Sequence, residues 1–94
     1  MAKSLLQRNK ACYICGTTFN LHLHHIFYGS ANRSISDGDG CVVYLCLDHH
    51  LGANGVHYNH KLDQALKARC QMAWQKQNDK TTEDFIKRYG RSYL

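Results

Sequence analysis

The chain has no proline, so no proline-rich linker divides its 94 residues. It also shows no internal repeat and no low-complexity segment, and one small domain over residues 1–94 is the expectation. Long apolar runs are missing too. No segment approaches the roughly 18 consecutive apolar residues of a membrane span, and the opening "MAKSLLQRNK" carries charge without the apolar stretch of a signal peptide. A cytoplasmic protein with reduced thiols is therefore expected. Acidic residues are few, 7 against 12 Lys and Arg, which leaves a formal charge of +5. The excess is uneven, +1 over residues 1–58 and +4 over residues 59–94. Such a balance suits a polyanionic partner such as nucleic acid, although proteins that bind nothing acidic also carry it.

A chain this short buries only about 60 to 65 percent of its unfolded surface, so its core is thin and a staple is expected. Cys12, Cys15, Cys41, Cys46 and Cys70 are the candidates. Their odd number, with one close C-x-x-C pair, argues against a closed disulfide framework and for metal.

Residues 10–60 hold every histidine and four of the cysteines. "LHLHHIF" alternates and "CVVYLC" is β-branched, so both read as strands of an irregular hairpin. Between them "YGSANRSISDGDG" reads as a long polar loop. Its Asp37 and Asp39 do not make an EF-hand, since Val42 would stand where that loop needs glycine; they mark a turn. Residues 61–94 read as a helical extension. In "NHKLDQALKARCQMAWQKQ", Leu62, Leu66, Cys70 and Ala73 share a stripe at helical spacing, flanked by Lys61, Arg69 and Lys76. A second helix follows, with Thr81 or Thr82 as N-cap, Glu83 and Asp84 in the first turn, Gly90 as the stop, and Phe85, Ile86 and Tyr89 as its packing residues.

Cys12 and Cys15 in "CYIC" can aim both sulfurs at one ion from a tight turn, and Cys46 and His49 in "CLDH" repeat the spacing. Two such knuckles make a Cys₃His site suited to structural zinc. Cys41 is an alternative ligand, but it opens a strand and reads better as a small buried hydrophobe, as does Cys70. A redox role for "CYIC" is disfavoured, because no βαβ pattern surrounds it. Six histidines remain: His22, His24, His25, His50, His57 and His60. Adjacent His24 and His25 on a regular strand face opposite ways, so both serve one site only if the strand ends or bulges there.

"CYIC", "LHLHHI", "VVYLC" and "CLDHH" followed by "GVH" resemble the HNH endonucleases of the ββα-metal, or His-Me finger, class, in the zinc-knuckle form found in many small phage proteins. The resemblance spans residues 10–60 and implies an α+β fold with a zinc-stapled, treble-clef-like ββα core and C-terminal helices. It implies DNA phosphodiester hydrolysis, with His25 as general base and His24, His50 and His57 as ligands of a catalytic divalent metal. Imidazole ligands leave that metal open among zinc, magnesium, manganese, nickel and cobalt. Two departures stand out. The family's middle Asn falls here on Cys41, so Asn32 or a backbone carbonyl would have to hold the base. The "LGANGV" spacer is long, so Asn54 or His60 could displace His57.

Lys61, Lys67, Arg69, Lys76, Lys87, Arg88 and Arg91 could line a groove for phosphates, and Arg33 is the basic residue nearest the expected metal. No base-reading helix is evident, so weak sequence preference follows. The rival expectation is a non-catalytic zinc module binding DNA or a protein partner. A third is a nuclease active only beside a recombinase, a terminase or a second copy of itself.

Overall fold

Two five-residue stretches with alternating or β-branched side chains form the sheet. In the computed structural model, which describes residues 4–94, β1 (Leu21–His25) and β2 (Val42–Cys46) pair antiparallel, with Leu21 opposite Cys46 and His25 opposite Val42. The first three residues of the "MAKSLLQRNK" opening lie outside the described residues. Between the strands the chain forms a helix, α1 (Arg33–Asp39), where a polar loop was expected. Four short or full helices complete the fold: α1, then α2 (Leu47–His50), α3 (His60–Asn78) and α4 (Thr82–Tyr89). The result is a small α+β fold, and among the described residues no helix is long and apolar enough to cross a membrane.

The helix α1 escapes a sequence reading because Gly, Ser and Asp all favour turns over helix interiors. Tertiary contacts override that bias. Ser36 is completely buried; its hydroxyl donates to the Cys41 carbonyl at 2.6 Å and accepts from the Phe27 amide at 3.2 Å. Gly40 then ends the helix in the left-handed conformation, φ 78°. Asp37 and Asp39 thus lie in a helical last turn, and the turn expected at them begins only at Gly40.

The core runs from the sheet into the C-terminal helices. Phe27, Phe85 and Tyr89 form its aromatic centre, with ring centroids 4.5 to 5.2 Å apart, and Trp74 and Tyr93 close around them. Cys41 and Cys70 are completely buried there as small apolar groups. Helix α3 begins at the Asn59 cap, whose side chain accepts from the Leu62 amide. Its buried face is Asp63, Leu66, Lys67, Cys70, Gln71 and Trp74, rotated from the expected stripe, which left Leu62 and Ala73 only half-buried. Polar side chains turn inward by pairing: Lys67 reaches Asp63 Oδ2 at 2.9 Å, which leaves Asp63 Oδ1 without a partner among the described residues, and Gln71 binds Ser92 and the Tyr93 amide. Thr81, not Thr82, caps α4, through a capping box with Asp84. Phe85 and Tyr89 pack it down as expected, whereas Ile86 faces solvent. Arg88 holds Asp39 of α1 with two hydrogen bonds, and Tyr89 donates a third.

Candidate metal centres

The first centre is built from two turns. Gly16, at φ 80°, lets the chain fold back so that its amide donates to the Cys12 carbonyl and the Cys12 amide to Thr17, both at 2.8 Å. The Tyr13 amide donates to the Tyr44 carbonyl and pins this turn beside β2. Cys46 ends β2 and caps α2, on which His49 follows. Cys15 Sγ lies 3.9 Å from Cys46 Sγ, while His49 Nδ1 lies 3.2 Å from Cys46 Sγ and 3.7 Å from Cys12 Sγ. All four donor atoms fall within 4.8 Å of one another. Zinc, bonded to sulfur at about 2.3 Å and nitrogen at about 2.0 Å, separates tetrahedral donors by roughly 3.5 to 3.8 Å. This cluster could hold a metal ion such as zinc.

The thiols are electrostatically prepared for a cation. Burial raises the Cys12 pKa, but the amides of Cys15, Cys46 and Ile14, with the Cys15 thiol, outweigh it and bring the value down to about 6. The Thr17 amide favours a Cys15 thiolate, yet burial and the neighbouring Cys12 and Cys46 sulfurs push that group upward. One thiolate is favoured while its neighbour is held back by repulsion, which a divalent ion would relieve.

The second centre uses the next residue of the same helix. His50 follows His49 on α2 and turns to the other side, where His24 of β1 and His57 converge on it. The donor nitrogens of His24, His50 and His57 lie within 4.8 Å of one another, and their ring centroids are 5.1 to 5.5 Å apart. His57 arrives because the spacer folds back on α2. A Cβ at Gly55 would stand 2.9 Å from backbone atoms of His49 and His50, so only glycine permits this approach. The Val56 amide then donates to the His49 carbonyl at 3.0 Å, and Val56 is buried. His60 is exposed at the start of α3 and outside the cluster, and Asn54 is exposed and does not line the cleft.

His24 is 3% exposed, and its Nε2 is buried without a hydrogen-bond partner among the described residues. Burial, with the adjoining His50 and His57, pushes its pKa down to about 3. Burial, then His57 and His22, also lowers that of His50. These are imidazoles held neutral, with lone pairs free for a ligand. Two neighbours support them: His22, assigned no catalytic role from the sequence, and Tyr28, not singled out there. His22, two residues before His24 on the same strand face, places Nδ1 2.9 Å from His50 Nδ1. Tyr28 packs against His24 and His57, and the Lys67 ammonium sits over its ring, 4.2 Å from the centroid.

A cleft of 910 Å³ opens beside this cluster, lined by His24, His50, His57, His25, Arg33 and Asp37 among others. The strand ends at His25, so residues from both its faces reach the cleft. Asn32, one of the two holders expected for His25, is engaged elsewhere: it donates to the Tyr89 carbonyl. Cys41, in the position where the resemblance expects Asn, is buried under Tyr89. Instead His25 Nε2 lies 3.0 Å from Asp37 Oδ1. The signal for Asp37 was a bare acid twelve positions on, in a segment whose helix was not legible.

Of the cations expected to line a groove, Lys67 is buried on Asp63. Arg88 holds Asp39, Arg69 donates to the Tyr13 hydroxyl and Arg91 lies over Tyr93, all three at the exposed surface. Lys61, Lys76 and Lys87 remain exposed, and Arg33 lines the cleft from α1. Comparison with family models, with curated proteins and with solved structures finds no match to this chain.

Proposed function

We propose that the protein is a metal-dependent endonuclease of the HNH, ββα-metal type, in which β1, β2 and α2 carry the catalytic elements and the thiol site holds structural zinc. One observation carries the reading: three imidazoles meet at the edge of a cleft that a fourth histidine, His25, also lines. The donor set fits a divalent cation, since the orphaned His24 Nε2 is costly to bury unless something accepts its lone pair. His24, His50 and His57 would hold that ion. When bound, it supplies Lewis-acid stabilisation of charge on the phosphate and the departing oxygen.

The remaining work falls to the chain's own residues. His25 takes a proton from the attacking water as general base, a role that histidine fills most often among side chains. Arg33, on the cleft wall, binds a phosphate oxygen and fixes the backbone of the nucleic acid. Lys61, Lys76 and Lys87 add sequence-independent attraction from further out. DNA is the proposed substrate, and a protein partner in phage DNA processing or recombination is compatible with so small a binding surface.

The test is incubation of purified protein with supercoiled, linear, single-stranded and branched DNA, and with RNA, across magnesium, manganese, zinc, nickel and cobalt, with EDTA as control. Cleavage that EDTA stops, and that His25→Ala abolishes while both metals stay bound, is expected. Absence of cleavage on every substrate removes the nuclease reading; unchanged turnover in His25→Ala removes His25. A second reading, a non-catalytic zinc module binding DNA or a protein, is favoured by Arg33 being the single Lys or Arg that lines the cleft among the described residues. One tightly held zinc and no second ion in elemental analysis would select it.

A further inference from the structure

The resemblance that suggests His25 as a base leaves its usual holder missing, and the structure offers another. We propose that Asp37 is a positioning residue for His25, fixing the ring with its proton on Nε2 and its lone pair on Nδ1. The catalytic consequence rests on the nuclease reading above; the pairing itself does not.

A carboxylate can only accept, so the 3.0 Å contact between Asp37 Oδ1 and His25 Nε2 requires the proton on Nε2. Nδ1 is then the ring's basic atom. A histidine left to itself in water exchanges its proton between the two nitrogens, and a base that must take a proton at one atom needs that exchange stopped. The His25 side chain is 14% exposed and that of Asp37 39%, so solvent reaches the carboxylate more than the ring.

Asp37 holds its place because α1 is tied down on several sides. Ser36, the preceding residue, is completely buried and bonded to both Phe27 and Cys41. Asp39, two residues on, takes three hydrogen bonds from Arg88 and Tyr89 of α4. Asn32, just before the helix, donates to the Tyr89 carbonyl. The C-terminal helix α4 therefore clamps the element that carries Asp37, although no residue of α4 lines the cleft. The residue that occupies the family's Asn position, Cys41, is meanwhile buried and cannot do the work.

The test uses the zinc-loaded full chain in two measurements. Long-range ¹H–¹⁵N spectra should show His25 as the Nε2–H tautomer, and Asp37→Ala should mix the two tautomers while the rest of the spectrum stays in place. Plasmid cleavage should show Asp37→Ala lowering kcat by roughly 10- to 100-fold, the usual loss when a group that orients a functional histidine is removed, with KM unchanged. An unchanged tautomer in Asp37→Ala overturns the proposal. An active wild type with a fully active Asp37→Ala overturns Asp37 alone. An inactive wild type fails the nuclease reading and ends any catalytic role for Asp37, even if the spectra show the Nε2–H tautomer.

Discussion

The thiol cluster and the imidazole cluster sit back to back on one four-residue helix, yet they are assembled in opposite ways. Each thiol knuckle is local: Cys12 with Cys15, and Cys46 with His49, bring their donors together through a single turn, and one backbone bond from Tyr13 to Tyr44 joins the two. The imidazole cluster has no local part. His24 comes from a strand, His50 from α2 and His57 from a spacer that glycine alone allows to fold back. The contrast separates a centre that makes the fold from a centre that the fold makes.

The largest effect should come from breaking the first. Replacing Cys46 by Ser removes a ligand from a site whose zinc would supply binding on the order of 10 to 16 kcal/mol, as in zinc-finger peptides, and should abolish cooperative thermal unfolding by circular dichroism. A melt as sharp as that of the wild type would mean the thin core stands unaided, and the contrast would collapse. Next comes His24→Ala, expected to leave the zinc in place and remove one full equivalent of a second ion from elemental analysis of protein loaded with manganese or nickel. Loss of both ions together would show that the centres are not separable.

Gly55→Ala sharpens the same comparison without touching a ligand. Its Cβ would press on the backbone of His49 and His50, so the second ion should bind roughly 10- to 100-fold more weakly by titration calorimetry, a loss typical of disturbed supporting residues. Undiminished affinity would show that the spacer is free to find another path. The smallest effect belongs to Thr81→Ala, which removes the capping box of α4 and should cost about 1 kcal/mol in urea unfolding. Both ions should remain at full stoichiometry; a change in either would extend the imidazole centre's support to the start of α4.

The same division decides what could be read without coordinates. Knuckle spacing is short-range, so Cys12, Cys15, Cys46 and His49 were legible, and so were the two C-terminal helices, although the Asn59 cap of α3 was not named and the α4 cap stood open between Thr81 and Thr82. Helix α1 was not, since its residues favour turns and only the buried Ser36 and the clamp on Asp39 make it helical. With α1 unseen, no partner for His25 could be named. The face of α3 was misjudged by about one position because Asp63, Lys67 and Gln71, polar by type, are buried by pairing. His24, His50 and His57 were grouped through resemblance, and no local pattern gives that grouping; the fold-back at Gly55 that makes it geometric left only a pair of glycines in the sequence.

The helix α2 spans four residues, too few to persist in water unless anchored from outside. Its anchors are the strand it continues, through Cys46, and the spacer that folds back on it, through the Val56 amide on the His49 carbonyl. Because His49 and His50 are consecutive, one rigid turn of backbone carries a donor of each candidate cluster, and any displacement of that turn is felt by both at once.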